Sequence, residues 1–263
     1  MSLRFALVVL LAASTARAEK LTSDQIASAV VVETIAIPSP SEFLIAVDKQ
    51  CEPNWAKHNK PSAPVPTADR EHMAAQLGML YADCHIAIEA GDAQSVSNSV
   101  RDLAAVAKKL NIGADTVARL GSIDDLADSA DWNSLRQELD AMRNDLRLAM
   151  LAQRDDDLRV IASVGSFNRQ VEVAAEVLAE DWSPRRAAVL DLSPTAAHLV
   201  DRLDGLPEKS RNSPFVSELS AALARYHGIM GSWRRGQPKK EQVLEIASTA
   251  RGVSRAAFGE PKK

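Results

Sequence analysis

The sequence predicts an all-α protein, a multi-helix bundle built around two central apolar helices. Three observations carry this expectation. Hydrophobic residues make up 46% of the chain but aromatics only 4%, and the apolar share is mostly Ala, Leu and Val, a mixture that favours helix over sheet. Apolar residues recur at steps of three and four, and no stretch alternates with period two for long enough to argue a strand. Helix punctuation recurs as well: Ser39-Pro40, Ser183-Pro184, Ser193-Pro194 and Ser213-Pro214 each set a capping hydroxyl before a proline, which the first helical position tolerates. Ser39, with Glu42 three residues on, completes a capping box.

The first stretch, MSLRFALVVLLAASTARA at residues 1–18, reads as a Sec-type signal peptide, with a basic start at Arg4, an apolar run and an Ala16-Arg17-Ala18 cleavage signal. The apolar run of about a dozen residues falls short of the roughly 20 that span a bilayer. The expected product is a soluble periplasmic or secreted bacterial protein beginning at Glu19, with no membrane span. Residues 19–66 hold short helices over 23–36 and 40–50, followed by EPNWAKHNKPSAPVP at 52–66, whose four prolines rule out continuous helix and suggest an extended strap.

Residues 67–258 form the expected bundle. The central helices are 67–90 and 156–180, because their apolar residues cover most of the circumference: Met73, Leu77, Met79, Leu80, Ile86 and Ile88 in one, Val160, Ile161, Val164, Phe167, Val171 and Val173 in the other. Between them come helices over 92–110 and 123–129, and an amphipathic one from Asp131, with Trp132, Leu135, Leu139, Met142, Leu146 and Met150 on one stripe. The acidic run Asp155-Asp156-Asp157 suits the N-terminal dipole of the second central helix. Helices over 184–191, 194–203, 214–233 and 238–257 follow, with an irregular stretch over 204–212 and a basic tail at 259–263. Each central helix carries an interior glycine, Gly78 and Gly165. Glycine is costly there, so both should mark close helix contacts.

Charge excludes one function class. The chain carries a net −4, and loss of Arg4 and Arg17 with the signal peptide brings it to about −6, which does not suit a general nucleic-acid binder. From Arg225 to Lys263 the balance reverses, with nine Lys or Arg against three Glu. That run reads either as a solvated face or as a docking surface for an acidic partner.

The stretch LYADCHI, residues 80–86, sets Cys84 against His85, and Cys51 is the other cysteine. Covalent haem attachment wants C-x-x-C-H, and Tyr81 stands where the first cysteine is needed. A metal site could draw on Cys51, His58, His72, Cys84 and His85, but their spacing fits no compact ligand pattern. A catalytic thiolate wants an electropositive, open setting, and Cys84 sits in an apolar helix. Two cysteines in an exported chain therefore read as a Cys51–Cys84 disulfide.

Signatures for serine hydrolases, zincins, nucleotide loops and EF-hands are missing from the sequence, so no cofactor is expected. The sharpest constellation is polar: His72, Gln76 and Asp83 share one side of the first central helix, with Ser163, Ser166, Arg169 and Gln170 on the second. Buried polar groups must find partners. Asp83 and Arg169 follow their glycines by five and four residues, so they should pair and share a network or pocket with Gln76 or His72. The expected function is a binding or structural module of the bacterial periplasm with a protein or small-molecule partner. The alternatives are a metal- or haem-binding bundle and a helical enzyme without a recognisable motif.

Overall fold

The computed structural model describes residues 37–61, 63–64, 66–112 and 118–259; the expected signal peptide, the helix expected over 23–36 and the last four residues of the expected tail lie outside them. Among the described residues there are helices, turns and connecting segments and no strand. In chain order the α-helices are α1 (Pro40–Cys51), α2 (Trp55–His58), α3 (Arg70–Glu89), α4 (Ala93–Lys109), α5 (Leu120–Asp128), α6 (Trp132–Ala152), α7 (Asp156–Glu180), α8 (Pro184–Ala187), α9 (Ser193–Asp204), α10 (Glu208–Arg211), α11 (Pro214–Ser232) and α12 (Lys240–Ala257). The protein is an all-α multi-helix bundle.

The helix starts follow local chemistry. Ser39 Oγ accepts from Glu42 N–H at 3.2 Å while Glu42 Oε2 accepts from Ser39 N–H at 3.0 Å, closing the capping box. Asp69 caps α3 by accepting from the amides of Glu71 and His72, and Asp92, Asp131, Ser183 and Ser213 cap α4, α6, α8 and α11. Ser193 departs from the expectation. It is the first residue of α9, Leu192 occupies the cap, and the Ser193 hydroxyl turns to His227 instead. Asp155 likewise stands at the cap of α7 without accepting from an amide there; its carboxylate pairs with Arg70 at 2.6 Å and ties the two central helices at their starts. The expected strap contains the single helical turn α2, and the expected irregular stretch 204–212 contains α10.

Helices α3 and α7 run parallel, since contacting residues rise in number together: Arg70 with Asp155, Ala75 with Gly165, Asp83 with Arg169. They meet at their glycines. A Cβ on Gly78 would come within 2.8 Å of Ser166 N, and one on Gly165 within 2.9 Å of Ala75 Cα, distances that leave no room for a methyl group. The backbones therefore touch, and only glycine permits it. Around this pair the fully buried Leu44, Val47, Leu103, Leu135, Leu139, Met142, Ile161, Tyr226, Ile246 and Ala250 bring α1, α4, α6, α11 and α12 into one core. No described helix is long and apolar enough to cross a membrane.

Candidate functional site

Beyond the glycine contact, two charged side chains enter the core from facing helices. Arg169 Nε donates to Asp83 Oδ1 at 2.7 Å, with side chains only 6% and 1% exposed. The other guanidinium nitrogens are also engaged. Nη1 lies 3.1 Å from Glu172 Oε2, one turn along α7, and Nη2 donates to the Lys60 carbonyl of the strap at 2.7 Å. Burial opposes the arginine's charge, but the carboxylates of Asp83 and Glu172 outweigh it and raise the pKa above its ordinary value. The guanidinium is thus permanently charged, and each of its three nitrogens has a partner.

The network continues away from the strap. Glu172 Oε2 accepts from the Ser254 hydroxyl at 2.6 Å. Asn168 Nδ2 donates to Ser254 Oγ at 3.2 Å and to the Ala250 carbonyl at 3.0 Å, while its Oδ1 accepts from Tyr226 O–H at 2.7 Å. Burial, and after it the charge of Glu172, keep the Tyr226 hydroxyl protonated by raising its pKa. A continuous polar thread therefore joins the strap, α3, α7, α12 and α11.

Two expected members lie outside this thread. Gln76 is buried, but its amide donates to the Ala257 carbonyl at 2.8 Å, since seven residues of helix set it about 10 Å from Asp83. His72, another turn away, stacks on Phe215 with ring centroids 4.0 Å apart and keeps Nδ1 3.2 Å from Asp69. On α7, Ser163 and Gln170 close bonds within their own helix, to the Arg159 and Ser166 carbonyls. Glu172, Asn168, Ser254, Tyr226 and the Lys60 carbonyl were not anticipated. Glu172, three residues from Arg169, was readable as a helical ion pair; the others offer no local signal.

The cysteines overturn the expected disulfide. Cys51 and Cys84 are both free and buried, and they are not within bonding distance. Cys51 ends α1 and senses Arg186 and Asp181 beyond the C-terminus of α7, whereas Cys84 follows Asp83, level with Arg169. Twelve residues of helix, about 18 Å of rise, separate those levels, far more than a disulfide spans. Burial raises both thiol pKa values, with the charge of Asp83 adding to it at Cys84, so both are held as unreactive thiols.

The histidines and cysteines considered as metal ligands do not converge, and no group of three or more His, Cys, Asp or Glu side chains able to hold a metal ion is found among the described residues. His58 is buried with Nε2 3.5 Å from Glu180 and Nδ1 4.0 Å from Glu176, and burial lowers its pKa despite both glutamates. Ser193 and His227 resemble a nucleophile and its base, with Oγ 3.0 Å from Nδ1, yet Nδ1 is also 3.0 Å from the Ser193 carbonyl. An N–H held by that carbonyl cannot accept the hydroxyl proton, and Ser193 is itself buried. The contact joins α9 to α11.

An open groove of about 580 Å³ lies between α11 and α12, lined by Ala221, Ala222, Gly252 and Val253 together with Arg225, Arg251 and Arg255. Arg225 pairs with Glu245 and Arg251 with Glu176, all at partly exposed positions. Comparison with known proteins finds no matching family model, no similar curated sequence and no similar solved structure.

Proposed function

We propose that the chain is a non-catalytic helical module exported to the bacterial periplasm, in which the Asp83–Arg169–Glu172 network is a structural clamp rather than a ligand site. The observation that carries this reading is the partnering of Arg169: its three guanidinium nitrogens meet Asp83, Glu172 and the Lys60 carbonyl. The arginine's charge is already met by two carboxylates of the same fold and its side chain is only 6% exposed, so a ligand would have to displace them. The signal-like residues 1–18 support export. Native mass spectrometry of the protein recovered from a periplasmic fraction tests both parts. The expected mass is that of a chain starting at Glu19 with nothing bound; a stoichiometric adduct, lost in Asp83→Asn, would make the network a binding site.

One observation favours a partner surface beside this scaffold. The lining of the α11–α12 groove carries three arginines and one glutamate among small residues, which suits an acidic protein segment. Its carboxylates would exchange with Glu245 and Glu176 in exposed pairs, each worth about 1 kcal/mol or less. A labelled oligoglutamate peptide titrated by fluorescence anisotropy should bind in a salt-sensitive way and be released by Arg225→Ala/Arg251→Ala. Binding that survives the double substitution would place the contact elsewhere.

A further inference from the structure

His85 takes no part in the polar thread, and its surroundings are unusual. It is 0% exposed, and neither ring nitrogen has a hydrogen-bond partner. The Tyr81 ring meets it edge-on at 4.9 Å, and the Tyr81 hydroxyl reaches across to Asp140 of α6 at 2.7 Å. Also from α6 come Arg143, whose guanidinium sits 5.7 Å from the centre of the Tyr81 ring, and Arg136, which pairs with Glu89 at 2.8 Å. The buried face of α4, with Val96, Ser97, Ser99, Val100 and Leu103, carries no titratable group; Arg101, Asp102, Lys108 and Lys109 of that helix lie outside its buried set. On α7, Arg169 is engaged with Asp83 and Glu172.

A neutral imidazole fits this place as a flat, largely apolar plate. A second ring proton would add a donor with no acceptor and a positive charge close to two arginines. The cost would fall on the contact between α3 and α6. That contact rests on the Tyr81–Asp140 and Glu89–Arg136 bonds, while the buried stripe of α6, Leu135, Leu139, Met142, Leu146 and Met150, faces a core to which α5 and α7 also contribute. The α3–α7 contact is independent of it, because it depends on Gly78, Gly165 and the ionic network.

We propose that His85 is an acid-sensitive latch on the α3–α6 interface: uptake of a proton releases α6 while α3 and α7 stay together. In the closed form burial, and after it Arg136 and Arg143, push the pKa down to about 3. Freed from the interface, the ring titrates near 6.5. Because the closed-form pKa is depressed, the stabilisation of the closed form is full above pH 6.5 and is lost as pH falls toward 3, each unit favouring the open form about tenfold. From pH 7 to pH 5 the open population should rise about 25-fold.

Hydrogen exchange of the whole chain at pH 7 and pH 5, corrected for intrinsic rates, tests this with wild type and His85→Leu. The expected result is an increase of roughly 25-fold in opening over residues 132–152, none over 156–180, and no increase over 132–152 in the Leu variant. His85→Phe serves if the Leu variant does not fold. The proposal is overturned by an α6 that opens equally at both pH values, by α6 and α7 opening together, or by an acid response that persists without His85.

Discussion

Arg169 Nε and Asp83 Oδ1 lie 2.7 Å apart across the contact of two parallel helices, and Arg169 Nη2 reaches back to the Lys60 carbonyl at 2.7 Å. One side chain thus fixes both the register of α3 against α7 and the position of the strap. A lysine would keep the charge but lose the planar fork, leaving at least one of the three acceptors unmet. Arg169→Lys should therefore cost on the order of 2 kcal/mol in urea denaturation. Stability equal to wild type would mean that charge alone suffices.

Glycine-to-alanine substitutions should change sign with position. Gly78→Ala and Gly165→Ala drive a methyl group into opposing backbone and should destabilise by about 1 to 3 kcal/mol. Gly252, in α12, has nothing within 4 Å of an added Cβ, so Gly252→Ala should stabilise by about 0.5 to 1 kcal/mol through helix propensity. Thermal melts of the three variants check the contrast.

The thiols should be chemically silent in the folded protein. Both are buried and separate, so a thiol reagent should find essentially none at neutral pH in the native state and two after denaturation without reductant. Consumption of both as one disulfide would contradict the structure.

Alkaline stability should be governed by the buried tyrosines together with the buried thiols, whose raised pKa values begin to cost stability at lower pH, above about 8.5. The chain has two tyrosines, Tyr81 and Tyr226, and burial raises both pKa values, aided by Asp140 at Tyr81 and Glu172 at Tyr226. Their folded values exceed the unfolded value near 10, so the stabilisation is full below pH 10 and falls above it by about 1.4 kcal/mol per unit for each group. Phenolate absorbance should appear only as helicity disappears. Phenolate formed while the circular dichroism is still native would show a ring open to water.

The sequence made the helices legible because period, caps and prolines are local signals, and it made Asp83 and Arg169 legible because charged groups on apolar helices need partners. What it hid is non-local. The Lys60 acceptor is a backbone carbonyl, which has no side-chain signature. Asn168, Tyr226 and Ser254 meet across 58 to 86 residues of chain, and each alone is an ordinary polar residue. Ser193 resembled a cap because its neighbour is proline, yet its hydroxyl is held by a histidine on another helix. The disulfide expectation came from compartment and count, and neither carries the distance along the bundle that keeps Cys51 from Cys84.

The denaturation free energy of Asp83→Asn tests the structural clamp most directly. The amide preserves shape but removes the charge that Arg169 was buried against, so the clamp account predicts a loss of roughly 3 to 5 kcal/mol with native helix content retained under folding conditions. An unchanged unfolding free energy, together with the loss of a bound species from the native mass spectrum, would contradict it and assign the network to ligand binding.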